Sequence, residues 1–280
     1  MGAGVGSLIA RLQGEGRLRV WSLAATFFGD AVAPRGGAVA MADLSAHLET
    51  LGAESGAIRT AMSRLARDGW VDRTRVGRKS YYRLAGPGAA TTREATPRIY
   101  AAAPPEWSGR WTVAIAAPGR AEDDLAAAGL RRVAPSVWLA PGEEAASLCG
   151  DGLFLIEGGG GSPPDWARAL LSPPELGARY AALSEAWSRF DLADASAPEA
   201  AMAARTLLIH DWRRVLLRDA PLPRALRPEG WPGAAARDLV AKLYRALAPA
   251  SERWLDGCEA APGRTLPAPE PAFAARFGGL

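Results

Sequence analysis

Apolar residues recur at helical spacing through the first third of the chain. Val20, Leu23, Ala24, Phe27 and Phe28 stand at i, i+3, i+4, i+7 and i+8. This is the buried stripe of an amphipathic helix ending near Gly29 and the loop Pro34-Arg35-Gly36-Gly37. Met41, Leu44, Leu48 and Leu51 share one face of a second helix, stopped by Gly52, with His47 expected to be exposed or simply packed. A turn through Ala53 and Glu54 leads to Ser55, an N-cap for a third helix running to Asp68-Gly69. There Ile58, Ala61, Met62 and Leu65 form the apolar stripe. Thr60, Ser63, Arg64 and Arg67 form the opposite one, with Arg59 on its shoulder. β-forming residues follow at 70–75 and 80–84, joined by Val76-Gly77-Arg78-Lys79, which reads as a hairpin.

Farther along, residues 111–157 alternate short β-rich and helical runs: Trp111 to Ala116, a helix through Leu125, Val133, Val137 to Leu139, a short helix near Leu148, and Leu153 to Ile156. That order suits a ferredoxin-like α+β unit. Beyond Pro163 the pattern is helical, over Trp166 to Leu171, Leu176 to Phe190, about Glu199 to Arg218 and about Ala234 to Asp256. The predicted fold class is therefore α+β. A winged helix-turn-helix is expected over 15–86, a linker over 87–106, a ferredoxin-like domain over 107–162 and a mainly helical domain over 163–258. Residues 259–280, rich in Pro and Ala, read as a disordered or loosely attached tail.

Composition removes several classes. The 280 residues are 49% hydrophobic and 22% charged, which excludes a disordered or fibrous chain. The two cysteines, Cys149 and Cys258, supply neither a disulfide framework nor a zinc site. No run of about 18 apolar residues and no signal-peptide core occurs, so a cytoplasmic protein with no membrane partner is expected. The net charge of +3 conceals an asymmetry. Residues 1–86 carry 12 Arg or Lys against 7 acids, a balance of +5, leaving −2 for the rest, and residues 59–83 hold 8 bases against 2 acids. Such a block points to an anionic partner at one end of the chain.

Helix, helix, basic helix and basic hairpin in that order are the elements of a winged helix-turn-helix. Arginines beside short hydroxyls suit a helix lying in a major groove, where Arg reads guanine edges. Arg75, Arg78 and Lys79 at the hairpin tip are expected over phosphates, giving salt-sensitive affinity. The candidate contacts to double-stranded operator DNA are Ser55, Arg59, Thr60, Ser63, Arg64, Arg67, Arg75, Arg78, Lys79 and Tyr81. The competing reading of the third helix is an ordinary solvated face.

Three groups of residues carry a resemblance to a known family. The stretches 26–37, 58–65 and 77–84 (from Thr26-Phe27-Phe28-Gly29-Asp30 to Tyr82-Arg83-Leu84) resemble the amino-terminal domain of PaaX-type transcriptional repressors. Arg98-Ile99-Tyr100, Trp107-Ser108-Gly109-Arg110-Trp111 and residues 134–141 are similar to the family's middle domain. Residues 205–219 (Arg205 to Asp219), Leu222-Pro223 and Trp231-Pro232-Gly233 are similar to its carboxy-terminal domain. Two departures are visible: the stretch Gly86 to Thr92 is less basic than the family pattern, and 259–280 has no recognised counterpart. The resemblance implies a repressor of phenylacetic acid catabolism genes, released from its operator by phenylacetyl-CoA or a related acyl-CoA. A homodimer is expected, since one winged helix covers a half-site.

For that effector, arginines suit the phosphates of coenzyme A and tryptophans suit stacking. The candidates are Trp107, Arg110, His210, Trp212, Arg213, Arg214 and Arg218. The competing readings are Trp212 as core and arginines paired with Asp211, Asp219 or Glu229. A regulator of another catabolic pathway, a dimerisation scaffold without ligand and a metal-dependent nuclease on the middle domain are the alternatives. The nuclease requires an acid at the end of the first strand, where Ala116-Ala117-Pro118-Gly119 offers none. Glu122-Asp123-Asp124 reads as helix capping rather than metal binding. With two histidines and no GxSxG or P-loop pattern, no catalytic residue, metal site or cofactor is expected.

Overall fold

The computed structural model describes residues 4–16, 18–119, 122–127, 129–142 and 152–280, with backbone alone at 122, 123 and 127. Helix α1 (Val5–Gly14), absent from the expected elements although Val5, Leu8, Ile9 and Leu12 stand at helical spacing, buries Leu8 and Leu12 one turn apart. Helix α2 (Val20–Phe27) buries Leu23, Ala24 and Phe27 as its spacing predicts. The chain stays helical past Gly29, through a π turn at Phe28–Val32 and a 3-10 turn at Ala33–Arg35, until Gly36 at φ 83° stops it. The π turn sets Asp30 facing inward, 1% exposed.

Strand β1 (Ala38–Ala40), helix α3 (Met41–Thr50), helix α4 (Ser55–Arg67) and strands β2 (Val71–Val76) and β3 (Lys79–Leu84) follow. The three strands form an antiparallel sheet of order β1-β3-β2. Helix α5 (Gly86–Ile99) occupies most of the stretch expected as a linker. Its start is locked against the hairpin: a Cβ at Gly88 would collide with the Trp70 carbonyl oxygen, which accepts from Ala85 N at 3.0 Å.

The chain divides into two compact units, one of Met1–Ala102, Ala182–Leu217 and Ala235–Leu280, the other of Ala103–Ala181 and Arg218–Ala234. In the first, helix α9 (Pro198–Leu216) is buried almost all round, from Ala201 to Trp212 without a break. It packs against α1, α2, α3 and α5. Most of helix α10 (Gly233–Asp256) lies in the same unit. Helical residues expected to stand with a carboxy-terminal region thus share a unit with residues 1–102.

The tail is a correction to expectation. Strands β8 (Glu259–Ala261) and β9 (Arg264–Thr265) pair, β8 lies against β1, and helix α11 (Pro271–Ala274) leads to a 3-10 turn at Arg276–Gly278. Phe273, Arg276 and Phe277 are all under 10% exposed. Pro/Ala composition conceals anchors this sparse: beside these side chains, Leu266 is buried, and Glu270 N and Phe277 N donate to the Pro34 and Tyr100 carbonyls.

The second unit contains strand β4 (Arg110–Ala116), helix α6 (Glu122–Ala127) and strands β5 (Arg131–Ala134), β6 (Val137–Pro141) and β7 (Leu153–Gly159). They form an antiparallel sheet of order β5-β6-β4-β7. Period-2 alternation puts Ala114, Trp138 and Ala140 on the buried face with Leu125 and Leu130, while Ile115, Phe154 and Ile156 on the other face are exposed. The expected short helix near Leu148, and Cys149, lie outside the described residues. Helices α7 (Asp165–Leu171) and the first half of α8 (Pro174–Ser188) complete the unit. No described helix is long and apolar enough to cross a membrane.

Candidate nucleic-acid interface

Helix α4 separates its faces as the sequence predicts. Ile58 and Met62 are fully buried and Leu65 nearly so, whereas Arg59, Thr60, Ser63, Arg64 and Arg67 are exposed. Asp68 lies 3.5 Å from Arg64 and 3.3 Å from Arg67, solvated pairs that hold neither arginine firmly. The Thr60 hydroxyl donates to the Gly56 carbonyl. Ser55 departs from expectation: the N-cap is Glu54, and Ser55 is the first helical residue, its hydroxyl donating to Glu49.

In the hairpin, Val76 pairs with Lys79 across a Gly77-Arg78 turn, with Gly77 at φ 59°. Arg75, Arg78 and Lys79 are exposed at its tip. Lys79 is already engaged, its Nζ donating to Glu259 Oε2 at 2.6 Å, a contact that raises the lysine pKa and lowers the glutamate's. Tyr81 is a correction. It sits in the central strand opposite Ala40 and Thr74 and is 5% exposed, so its ring supports the sheet rather than meeting DNA.

The expected effector residues are not one cluster. Trp107, Arg110 and Arg218 belong to the second unit, and His210, Trp212, Arg213 and Arg214 to the first. Trp107 donates to the Arg110 carbonyl at 3.2 Å and meets Trp111 edge-on, Arg214 is partly buried, and Arg218 is exposed. His210 and Trp212 are wholly buried, Trp212 as the competing core reading has it: His210 Nδ1 is 3.2 Å from Thr26 Oγ1, and Trp212 Nε1 donates to the Ile99 carbonyl at 2.9 Å. The acids are paired by residues off α9. Arg11 and Trp187 donate to Asp211, and Arg227 and Tyr180 to Asp219.

Two arrangements in the first unit escaped the sequence pattern. The first is a buried polar network centred on Asp30. Arg205 Nε donates to its Oδ2 at 2.7 Å, while Tyr100, Tyr244 and Arg276 donate to Oδ1 at 2.6, 2.8 and 2.9 Å. Arg205 also reaches Ser251 and Glu252, and Arg35 bridges Glu252 to Asp256. Desolvation opposes the charge on Asp30, but the two guanidinium groups and two hydroxyls outweigh it and hold the carboxyl below its ordinary 3.8. Asp30, Tyr100 and Arg205 come from three separate stretches that carry the family resemblance, the one signal that would have found them. Nearby, His47 Nε2 lies 2.9 Å from Thr206 Oγ1; burial, helped by the Arg205 charge, pushes the ring down to about 3.

The second arrangement is a pocket of about 90 Å³ whose walls include Trp21, Ala25 and Thr26 of α2, Trp70, Thr92, Ala95 and Thr96 of α5, Tyr100, and Ile209 and Arg213 of α9. Arg213 donates to Thr26 Oγ1 at 2.7 Å and to the Ser22 hydroxyl and carbonyl at 2.7 and 2.9 Å. No carboxylate among the described residues pairs with it. Desolvation, with Arg214 adding repulsion, lowers its pKa to about 10, against a smaller raising effect from Tyr100.

Among the described residues no three His, Cys, Asp or Glu side chains converge to hold a metal ion. Comparison with known proteins points elsewhere. Residues 19–88 match the family model described as PaaX-like protein, and residues 173–257 match that of the PaaX-like protein C-terminal domain. The chain is 32% identical over 287 aligned positions to the transcriptional repressor PaaX of Escherichia coli (strain K12), covering 92% of this chain and 90% of that protein. A solved structure of an uncharacterized protein from Mycobacterium tuberculosis superposes with a TM-score of 0.53 at 20% identity, over 76% of this chain and 90% of that one, a likeness of fold alone. With two family models matched and a repressor aligned over nearly its whole length, the chain belongs to the PaaX family of transcriptional repressors.

Proposed function

We propose that the chain is a repressor that binds double-stranded operator DNA through α4 and the β2–β3 hairpin, acting as a winged helix-turn-helix, and is released by phenylacetyl-CoA or a related acyl-CoA. The observation that carries the reading is the two-sided α4: an apolar stripe fixed in the core, and three arginines and two hydroxyls presented outward beside the exposed Arg75 and Arg78. Such a helix enters a major groove with its guanidinium groups at base edges, while the hairpin tip meets flanking phosphates. Dimerisation pairs two such modules on a two-fold operator. The antiparallel β5-β6-β4-β7 sheet, with α6 following β4 and preceding β5 in the chain, supports the ferredoxin-like reading of the middle region.

The test is a titration of purified protein against an operator fragment selected from a random-sequence DNA pool, at several salt concentrations, with and without phenylacetyl-CoA. Salt-sensitive, sequence-selective binding that the thioester weakens is the expected result. Binding indifferent to sequence removes the recognition-helix role of α4. Selective binding untouched by phenylacetyl-CoA removes the effector.

A further inference from the structure

The pocket beside Arg213 combines a mouth, an apolar body and an undercompensated cation. Trp21, one of its lining residues, is 42% exposed, so the pocket opens to solvent beside this indole. Inside, Trp70, Ile99, Tyr100 and Ile209 supply apolar and aromatic walls, and threonines 26, 92 and 96 supply hydroxyls. Asp30 also borders the space, but its carboxylate is committed to Arg205, Arg276, Tyr100 and Tyr244. Arg213 therefore meets only neutral oxygens, those of Ser22 and Thr26. A guanidinium drawn partly out of water without a counter-ion is poised for an anionic or strongly polar oxygen. A volume of about 90 Å³ has room at its open side for a single ring but nothing of nucleotide size.

We propose that this pocket binds a small aryl carboxylate, or the aryl-acyl end of its thioester, with the ring among Trp21, Trp70 and Tyr100 and the carboxylate or carbonyl oxygen on Arg213. In the thioester case the nucleotide stays outside. The assignment rests on the ligand-released repressor reading above and gives it a location.

The pocket's walls also give it a route to DNA. Trp70 N donates to the Leu65 carbonyl at 2.8 Å, closing the end of α4, and the next residue begins β2. The Trp70 carbonyl is clamped by Ala85 and the start of α5. Trp21 and Thr26 stand on α2, which packs against α4. A ring entering between α2, α5 and Trp70 presses on the elements that fix α4 and the hairpin. A ligand that binds the displaced arrangement better than the resting one lowers operator affinity by its differential affinity for the two.

The experiment is calorimetric titration of the full chain with phenylacetate, phenylacetyl-CoA and, as a control, coenzyme A, beside the operator-release assay. It is repeated for Ala95→Phe, which fills the pocket, and Arg213→Gln. Because Arg213 also ties α9 to α2, Ala95→Phe keeps the test decisive if the arginine variant misfolds. Phenylacetate, phenylacetyl-CoA or both should bind the native chain and weaken roughly ten- to hundredfold in the variants, with cooperative urea unfolding of Ala95→Phe showing that it folds. Binding of the free acid alone or of the thioester alone identifies the source, and either supports the site. A ligand that binds native chain and Ala95→Phe alike overturns the pocket but leaves the effector reading standing. If neither ligand binds nor releases the operator, both fall.

Discussion

Two sets of arginines divide the first unit. Those on α4 and the hairpin tip project into solvent with weak, screened partners or none firmly held. Arg205 and Arg276, at 0% and 6% exposure, are sunk against the shared Asp30 carboxylate, with Glu252 also on Arg205 and the Tyr244 hydroxyl on Arg276. The same side chain serves opposite ends because its surroundings differ in dielectric. In water a guanidinium is free to bind a phosphate or base. In the core it must be matched, and it then welds together the segments that match it. Arg213 is intermediate: partly buried, bonded to neutral oxygens, open to a pocket.

The sharpest test of this contrast is Asp30→Ala. It leaves two buried guanidinium groups short of their shared carboxylate and is expected to cost about 3–5 kcal/mol in urea unfolding. Arg59→Ala is expected to stay within about 0.5 kcal/mol in the same measurement. Equal losses would end the distinction.

On DNA the order reverses. Arg59→Ala or Arg64→Ala should lose about 1–3 kcal/mol of discrimination between the operator and a single-base variant, measured by competition binding. Uniform weakening over all sequences would make them phosphate contacts.

His47 offers a pH-dependent test of the buried side. Its folded pKa of about 3 lies below the ordinary 6.5, so between those values the unfolded chain binds a proton that the folded chain refuses. Stability therefore falls as pH falls through that window, by up to about 1.4 kcal/mol per unit. His47→Gln should flatten the slope in denaturant titrations from pH 6.5 to 4.5. Asp30, with its lowered pKa, adds pH dependence only below the ordinary 3.8, where its protonation removes stability, so it does not enter the slope measured from pH 6.5 to 4.5.

The smallest effects belong to the hairpin tip. Arg78→Ala should reduce the salt slope of operator binding by about one. Lys79→Ala should change it less, because Glu259 already holds that ammonium. An equal reduction from both would mean that the tail releases Lys79 on DNA.

Much of this was legible in sequence where one face meets water. Helix α4 showed both its stripes, and the strands and helices from β4 to α10 fell close to their expected limits among the described residues. Helix α9 was only half readable: Leu208, Ile209, Trp212, Val215 and Leu216 marked one face, but its polar residues are buried as well, and periodicity says nothing about a polar residue that finds a partner inside. Residue type offers Tyr81 and His210 as contacts but does not foretell their burial, whereas the burial of Trp212 agrees with the core reading of its apolar stripe. Helix α1 does carry Val5, Leu8, Ile9 and Leu12 at helical spacing, a stripe obscured by the glycines at 2, 4 and 6, whereas the tail carries too few apolar residues for a periodic signal.

Periodicity, charge distribution and motif resemblance determined the local elements, the basic outer face and the family, because each depends on neighbours within a few residues or on a spacing the chain carries with it. Tertiary structure alone decided which arginines are matched, that residues 259–280 close the network around Asp30, and that α2, α5 and α9 leave a pocket at Arg213. Those outcomes join residues up to 246 positions apart, and the desolvation that sets their energies exists only once the chain has folded around them.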